Sequence, residues 1–431
     1  MSKAKRRNFW KSLSLAATII LAPTLGAVGA QAKTLEDIRI EDQILLTQIK
    51  TNWDKVVEMA RGQTVKWWFW SGDQEFNKYV SQWSANRVKE LYDINLVFVP
   101  IKDTVEGVNQ VVNEKNAGKH SDGAVDMQWI SSENLKTMIQ GDLLFTGWPW
   151  LLPNSKYVDY GDPTIADQGG LVVGNTAQVW ERYQYVFVYN GDQIKEPPST
   201  FAGILEWCKK NPGKFTYPAP PDFTGRGQLT SLLYEISGGY NQWLGPYDDQ
   251  LWKKWRIPFL DYLNELKPYL WRNGETYPET VAVQDQLFAS GELWWTHTAF
   301  FGLPARNVLK GTWPKSTRTS VIDAGTLSGT GSISIPYNSS SKAAAVVVAD
   351  FLTSAEAQYE KALPEGVGDG WILDLDLLPS DFQAKFKDMP ILPATLPPGI
   401  LATHQSPTAT SYHVAIERDW REHVLKGKPY K

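Results

Sequence analysis

Residues 64–76, TVKWWFWSGDQEF, change character in the middle. Thr64 to Trp70 is a run of β-branched and aromatic residues, the composition of a buried strand. Ser71-Gly72-Asp73 interrupts it, and DQEFNKYVSQWSANRVKELY (73–92) continues with the apolar spacing of an amphipathic helix. Strand, tight polar loop and helix form the unit from which open α/β sheets are built. Side chains alternate across a strand, so Trp67 and Phe69 share one face and Trp68 and Trp70 the other. Trp67 and Phe69 are expected in the core. Trp70, beside the loop, is the ring placed to stack on a ligand, followed by Ser71, Gly72 and Asp73. Ser71 and Asp73 also suit a simple role as helix caps.

The unit recurs. INLVFVP (94–100) reads as a second strand halted by Pro100, and the helix after it puts Val105, Val108 and Val112 on one face. AVDMQWI (124–130) is a third strand, followed by a helix over 132–142. This second loop offers Trp129, Ser132, Glu133 and Asn134, although an acid in a first helical turn is favoured by the helix dipole alone. YQYVFVYN (183–190) is another buried strand. After Pro197-Pro198 a second α/β set begins, with a helix over 200–211, a strand at 214–217, and helices to about 236 and over 249–266. A single Ala-rich helix is expected over 342–363 and a short one near 412–425.

This order predicts an α/β protein of two lobes, each a mainly parallel sheet with helices on both faces and a ligand cleft between. After a helical segment at 33–61, residues 62–185 and 330–431 make the first lobe and 186–329 the second, with hinges near Val186–Tyr189 and Gly329–Ser334. Open α/β sheets bind ligands beyond the carboxyl ends of their strands. Two loops of the second lobe should therefore face the first two. KFTYPAPPDFTGRGQL (214–229) has a proline-stiffened loop carrying Asp222, which equally suits a plain helix N-cap, and Phe223, Thr224 and Arg226. A rigid loop loses little entropy on binding; Asp222→Ala is accordingly expected to weaken binding tenfold with the fold intact. ELWWTHTAFFGL (292–303) adds Thr296, His297 and Phe300.

The first 32 residues have the form of an export signal. A basic start, an apolar stretch from Leu13 to Leu25 and the small-x-small site Ala30-Gln31-Ala32 predict cleavage after Ala32. Arg6-Arg7-Asn8-Phe9 either resembles a twin-arginine signal or is ordinary n-region charge. Cleavage takes five of the 43 Lys and Arg and none of the 47 acids, leaving a net charge of about −9. That charge argues against nucleic acid as a partner. The one cysteine, Cys208, excludes an intrachain disulfide. A monomer in the periplasm is the expectation.

The order of parts resembles the periplasmic solute-binding proteins of ABC importers, in the branch for iron, polyamines, thiamine and related solutes. The resemblance rests on TVKWWFWSGDQEF, GAVDMQWISSENL, FASGELWW and above all SIPYNSSSKAAAVVVADFLTSAEAQ (334–358), a polar turn before an Ala-rich helix. It runs from about residue 62 to 363, and ARGQTV and FTYPAPPDFTG look most like the YnjB-like importer components. It implies a receptor that captures a small solute and docks on a membrane permease driven by a separate ATPase, with no cofactor and no catalytic residue.

The loops interleave acids (Asp73, Glu133, Asp222) with aromatic rings (Trp70, Trp129, Phe223, Phe300). Ring faces attract cations and carboxylates supply counter-charge. An organic cation, thiamine-like or polyamine-like, is the expected ligand. The alternative is a secreted glycan-binding protein or glycan-active hydrolase, since aromatic faces also stack on sugars. A glycosidase needs two carboxylates flanking one bond; Asp374 and Asp376 are the nearest sequence pair and read better as a turn. No nucleophile elbow, H-E-x-x-H or phosphate-binding loop occurs. His404, His413 and His423 lack metal spacing, and phenylalanines at 300–301 stand where an iron site would want tyrosines.

Overall fold

The computed structural model describes residues 33–166, 171, 173–396 and 404–431, except the side chains of Glu133, Pro163 and Thr164. The export-signal reading falls on residues 1–32, outside the described residues. The first sheet has six strands: β1 (Thr64–Trp70), β2 (Asn95–Ile101), β3 (Met127–Ile130), β4 (Gln178–Gln184), β8 (Thr326–Ser334) and β9 (His404–Gln405). Its order is β2-β1-β3-β8-β4, with β9 paired to the start of β8. The second has three: β5 (Val186–Asn190), β6 (Trp295–Thr298) and β7 (Thr317–Ser320), with β5 central. Among the described residues no helix is long and apolar enough to cross a membrane.

Each sheet separates two apolar clusters. Trp67 and Phe69 of β1 are fully buried with Trp180 of β4 and the Ala- and Val-rich face of the helix Lys342–Thr353. Trp68 turns to the other face, against Val108, Val111 and Ile130. In the second lobe Phe187 and Trp295 face one cluster while Val186 and Val188 face another. The alternation expected from period two holds in both.

Several elements differ from the sequence reading. β1 runs parallel to β2 and β3, but the second sheet is wholly antiparallel rather than mainly parallel. The missing parallel strand is 214–217, which joins no sheet. Its carbonyls are met from two sides, Lys214 O by Trp294 N–H at 3.0 Å and Phe215 O by Trp271 N–H at 2.9 Å, and Pro218 has no N–H with which to continue a ladder. Pro100 lies inside β2, on the sheet edge where proline is tolerated. The Ala-rich helix divides at Ser354, whose hydroxyl caps a new helix, Ala355–Ala362. Asn52 divides the N-terminal segment in the same way.

The tail also departs from expectation. Tyr412, Ile416, Trp420 and Val424, in the helix Thr410–Asp419 and the π-helical turn Trp420–Leu425, belong to the second-lobe core. Trp420 Nε1–H donates to Tyr217 Oη at 3.0 Å, and Tyr234 Oη–H to Ser406 O at 2.9 Å. Late chain therefore returns to the second lobe. The main crossings between sheets lie at Tyr185, between β4 and β5, and at 321–325, between β7 and β8. Gly329–Ser334 instead lies within β8, with Gly329–Gly331 paired to β4 and Ser332–Ile333 paired to both β4 and β3.

Candidate site at the seam between the lobes

The loop after β1 meets the second lobe through its aromatic and its acid. The Trp70 ring stacks on Phe300 with centroids 6.1 Å apart and 19° between planes. It also folds back over Gly72, where a Cβ would stand 2.1 Å from the indole; only glycine fits beneath it. Phe300 packs on both the first-lobe cluster and the small cluster below β5 and β6. Ser71 donates its hydroxyl and its N–H to Ile101 O, at 3.1 and 2.9 Å.

Asp73 has two jobs. Its Oδ1 accepts from the N–H groups of Glu75 and Phe76, at 2.8 and 3.0 Å, and caps the helix Gln74–Lys78. Its Oδ2 is paired with the guanidinium of Arg306, on the helix Leu303–Leu309 of the second lobe. Arg306 also donates to Val367 O at 3.0 Å. Lys310 beside it reaches Glu75 at 2.5 Å. A cap was expected of Asp73; the ion pair between lobes was not.

Trp129 is taken up by the core, 4.7 Å from Phe69 and 5.7 Å from Trp180, and meets the seam only through its edge contact with Trp70 at 5.9 Å. Ser132 starts the helix Ser132–Gln140 and is half-buried. Asn134 donates to Thr104 Oγ1 at 2.7 Å, joining the starts of two helices. The Glu133 side chain lies outside the described residues.

Asp222 is a staple. Oδ1 caps the helix Phe223–Ser237 through the N–H groups of Thr224 and Gly225, at 2.9 and 3.0 Å. Oδ2 accepts from Val281 N–H at 3.0 Å, at the start of the helix Val281–Ala289. Burial pushes its carboxyl above the usual range despite these three donors. Removing it strands three N–H groups, each costly when buried without a partner. Asp222→Ala is therefore expected to lower stability by about 2–3 kcal/mol, read in urea titrations; weaker ligand binding at unchanged stability would return Asp222 to the ligand contacts.

The remaining second-lobe positions divide. Phe223 is 38% exposed and lies edge-on to Tyr183 at 5.0 Å. Thr224 is buried, its carbonyl facing His297 Nε2 at 3.3 Å. Arg226 is bound to Glu417 of the C-terminal helix at 3.4 Å, so its charge serves the fold instead of an anion. His297 is buried between Phe187 and Phe215, and burial pushes it down to about 4; it is a neutral core residue. Thr296 is buried beside it, with no partner for its hydroxyl.

Sequence reasoning missed Arg306, Asp285 and the segment 366–370. Gly302 lies so close to Gly368 that a Cβ on it would stand 1.5 Å from the Gly368 carbonyl. Behind that contact Lys361 pairs with Asp369 at 2.5 Å, beside Glu181. The glycine run at 366, 368 and 370 was the one visible signal, as close backbone approach favours glycine. The seam and the contact behind it carry Asp73, Glu75, Asp222, Asp285, Asp369 and Glu181 together with Arg306, Lys310 and Lys361.

Comparison with known proteins agrees with this architecture. Residues 83–368 match the family described as bacterial extracellular solute-binding protein. Protein YnjB of Escherichia coli (strain K12) is 33% identical over 372 residues, covering 86% of this chain and 93% of that protein. The spermidine/putrescine ABC transporter substrate-binding protein PotD from Streptococcus pneumoniae superposes with a TM-score of 0.58 at 14% identity, over 85% of this chain and 100% of that one. The GacH receptor of Streptomyces glaucescens, solved unliganded and with acarbose, gives 0.63 at 14% identity, over 85% and 94%.

Proposed function

The chain belongs to the bacterial extracellular solute-binding proteins, and on that premise we propose that it captures a small organic cation, polyamine-like or thiamine-like, between its lobes. It acts as a monomer in the periplasm, exported by its first 32 residues, and hands the solute to the permease and ATPase of an ABC importer. The observation that carries the ligand class is the seam itself, where Trp70 stacks on Phe300 and where Asp73, paired with Arg306, and Asp285, with an unpartnered oxygen, supply acidic groups. Aromatic faces each contribute about 0.5–2 kcal/mol to a desolvated cation, and about −8 kcal/mol in total gives micromolar affinity. Spermidine/putrescine binding by a protein of the same fold is consistent with this class.

The test is a thermal-shift panel of putrescine, spermidine, thiamine, choline, ferric iron, phosphate and short glycans. A ligand present at 100 times its Kd stabilises by about 2.7 kcal/mol, which moves Tm by a few degrees. Shifts confined to the organic cations are expected. Shifts with glycans alone, or glycan cleavage, would overturn the reading.

A further inference from the structure

Asp285 lies in the helix Val281–Ala289, whose first N–H is held by Asp222. Its Oδ1 is buried and no hydrogen-bond donor reaches it, while the residue as a whole is half-buried and so open to solvent on one side. The other two acids of this corner are committed, Asp73 to two N–H groups and Arg306, Asp222 to three N–H groups. Phe288, one turn further along the same helix, belongs to the cluster on which Phe300 packs, so the carboxylate and the stacked rings lie on neighbouring elements. A buried acceptor without a donor is unfavourable in the empty protein and is relieved by any N–H donor that enters.

Resting on the proposed function, we propose that Asp285 is the carboxylate that receives the ligand's cationic group, and that it releases a proton as it does so. The exchange balances: the carboxylic acid gives its proton to solvent, and the carboxylate left behind takes the ammonium as its hydrogen-bonded counter-ion. Burial comes first in holding the proton, then the charge of Asp73, then that of Asp222, with Arg306 opposing; together they push the carboxyl up to about 8. From β6, packed against this helix, His297 faces the region as a neutral group. Apparent affinity should therefore weaken about tenfold for each pH unit below 8 and level off above it.

The experiment is calorimetric titration of the whole mature protein with putrescine, cadaverine and 1,6-diaminohexane, primary diamines that carry N–H donors and stay largely protonated from pH 6 to 8.5. Each titration is run in two buffers of different ionisation enthalpy. Close to one proton released per cation at pH 6.5, with an affinity 10- to 100-fold weaker at pH 6 than at 8.5, is expected. Asp285→Asn should bind at least tenfold more weakly at pH 8.5 and show no proton release. Cation binding with no proton release and a flat pH profile in the wild-type protein overturns the inference, whatever the variant does. If none of the three cations binds and a glycan does, the cation reading itself fails.

Discussion

Replacing Lys361 with Met should lower stability at neutral pH by about 3–5 kcal/mol, the range seen when one partner of a buried ion pair is removed. Lys361 is 0% exposed and its partner Asp369 1%. Its ammonium holds Asp369 Oδ2 at 2.5 Å, donates to the Gly370 carbonyl, and lies 5.7 Å over the Trp180 ring. Glu181 is in the same pocket, its Oε1 without a partner, as is Asp369 Oδ1. Burial first, then the negative charge of Asp369, holds the Glu181 carboxyl well above the carboxylate range, with Lys361 opposing. Met keeps most of the volume of Lys, so packing loss is small and the stranded acids dominate. Both acids have raised folded-state pKa values, which makes protonation favour the fold. Their contribution to stability is complete below the unfolded carboxylate range near 4 and is lost as pH rises through the folded values. Without Lys361 those values rise further. The deficit should therefore be full at pH 7–8 and shrink toward pH 4, which urea melts at three pH values will read; a deficit constant across pH would assign the loss to packing.

How much of this was legible in the sequence depends on how far apart the interacting residues lie. Local signals carried well: period-two burial in β1 put Trp67 and Phe69 inside, and Asp73 and Asp222 stand at helix starts as caps. What failed is non-local. Asp73 and Arg306 are 233 positions apart, and Arg306 in "LPARNVLK" looks like any helical surface arginine. The cap role of Asp222 is local, but its second bond is not: the N–H of Val281 that occupies its other oxygen comes from a distant helix start. The 214–217 run has strand composition, yet neighbours at 271 and 294 take its carbonyls before a ladder forms. Trp129 shows the same limit. A tryptophan at a strand end suits a cleft as well as a core, and only the positions of Phe69, Phe76 and Trp180 decide between them.

Arg306→Met should open the protein instead of unfolding it. The guanidinium bridges the lobes, pairing with Asp73 and donating to the Val367 carbonyl, and both Arg306 and Asp73 are under 10% exposed. Stranding a buried Asp73 carboxylate costs about 3–5 kcal/mol if the lobes stay shut. Opening at the crossings by Tyr185 and 321–325 hydrates that carboxylate while both cores remain intact, so opening is the cheaper relief. The variant should then show a larger radius of gyration in solution scattering and a thermal midpoint near that of the wild type. Apparent affinity scales with the fraction of molecules in the closed form, so a tenfold loss of closed population reads as tenfold weaker binding. Lys310→Ala is the internal comparison: its pair with Glu75 is 35% exposed on the lysine side, where such contacts contribute about 0–1 kcal/mol, and it should change little. Gly302→Ala approaches the same outcome sterically, since its new Cβ would strike the Gly368 carbonyl only when the lobes are together. If Arg306→Met stays as compact as the wild type and melts several degrees lower, Arg306 is a core ion-pair residue and the seam does not open there. If both variants expand and lose affinity together, the contact of 302–306 with 366–370 is what holds the receptor closed around its ligand.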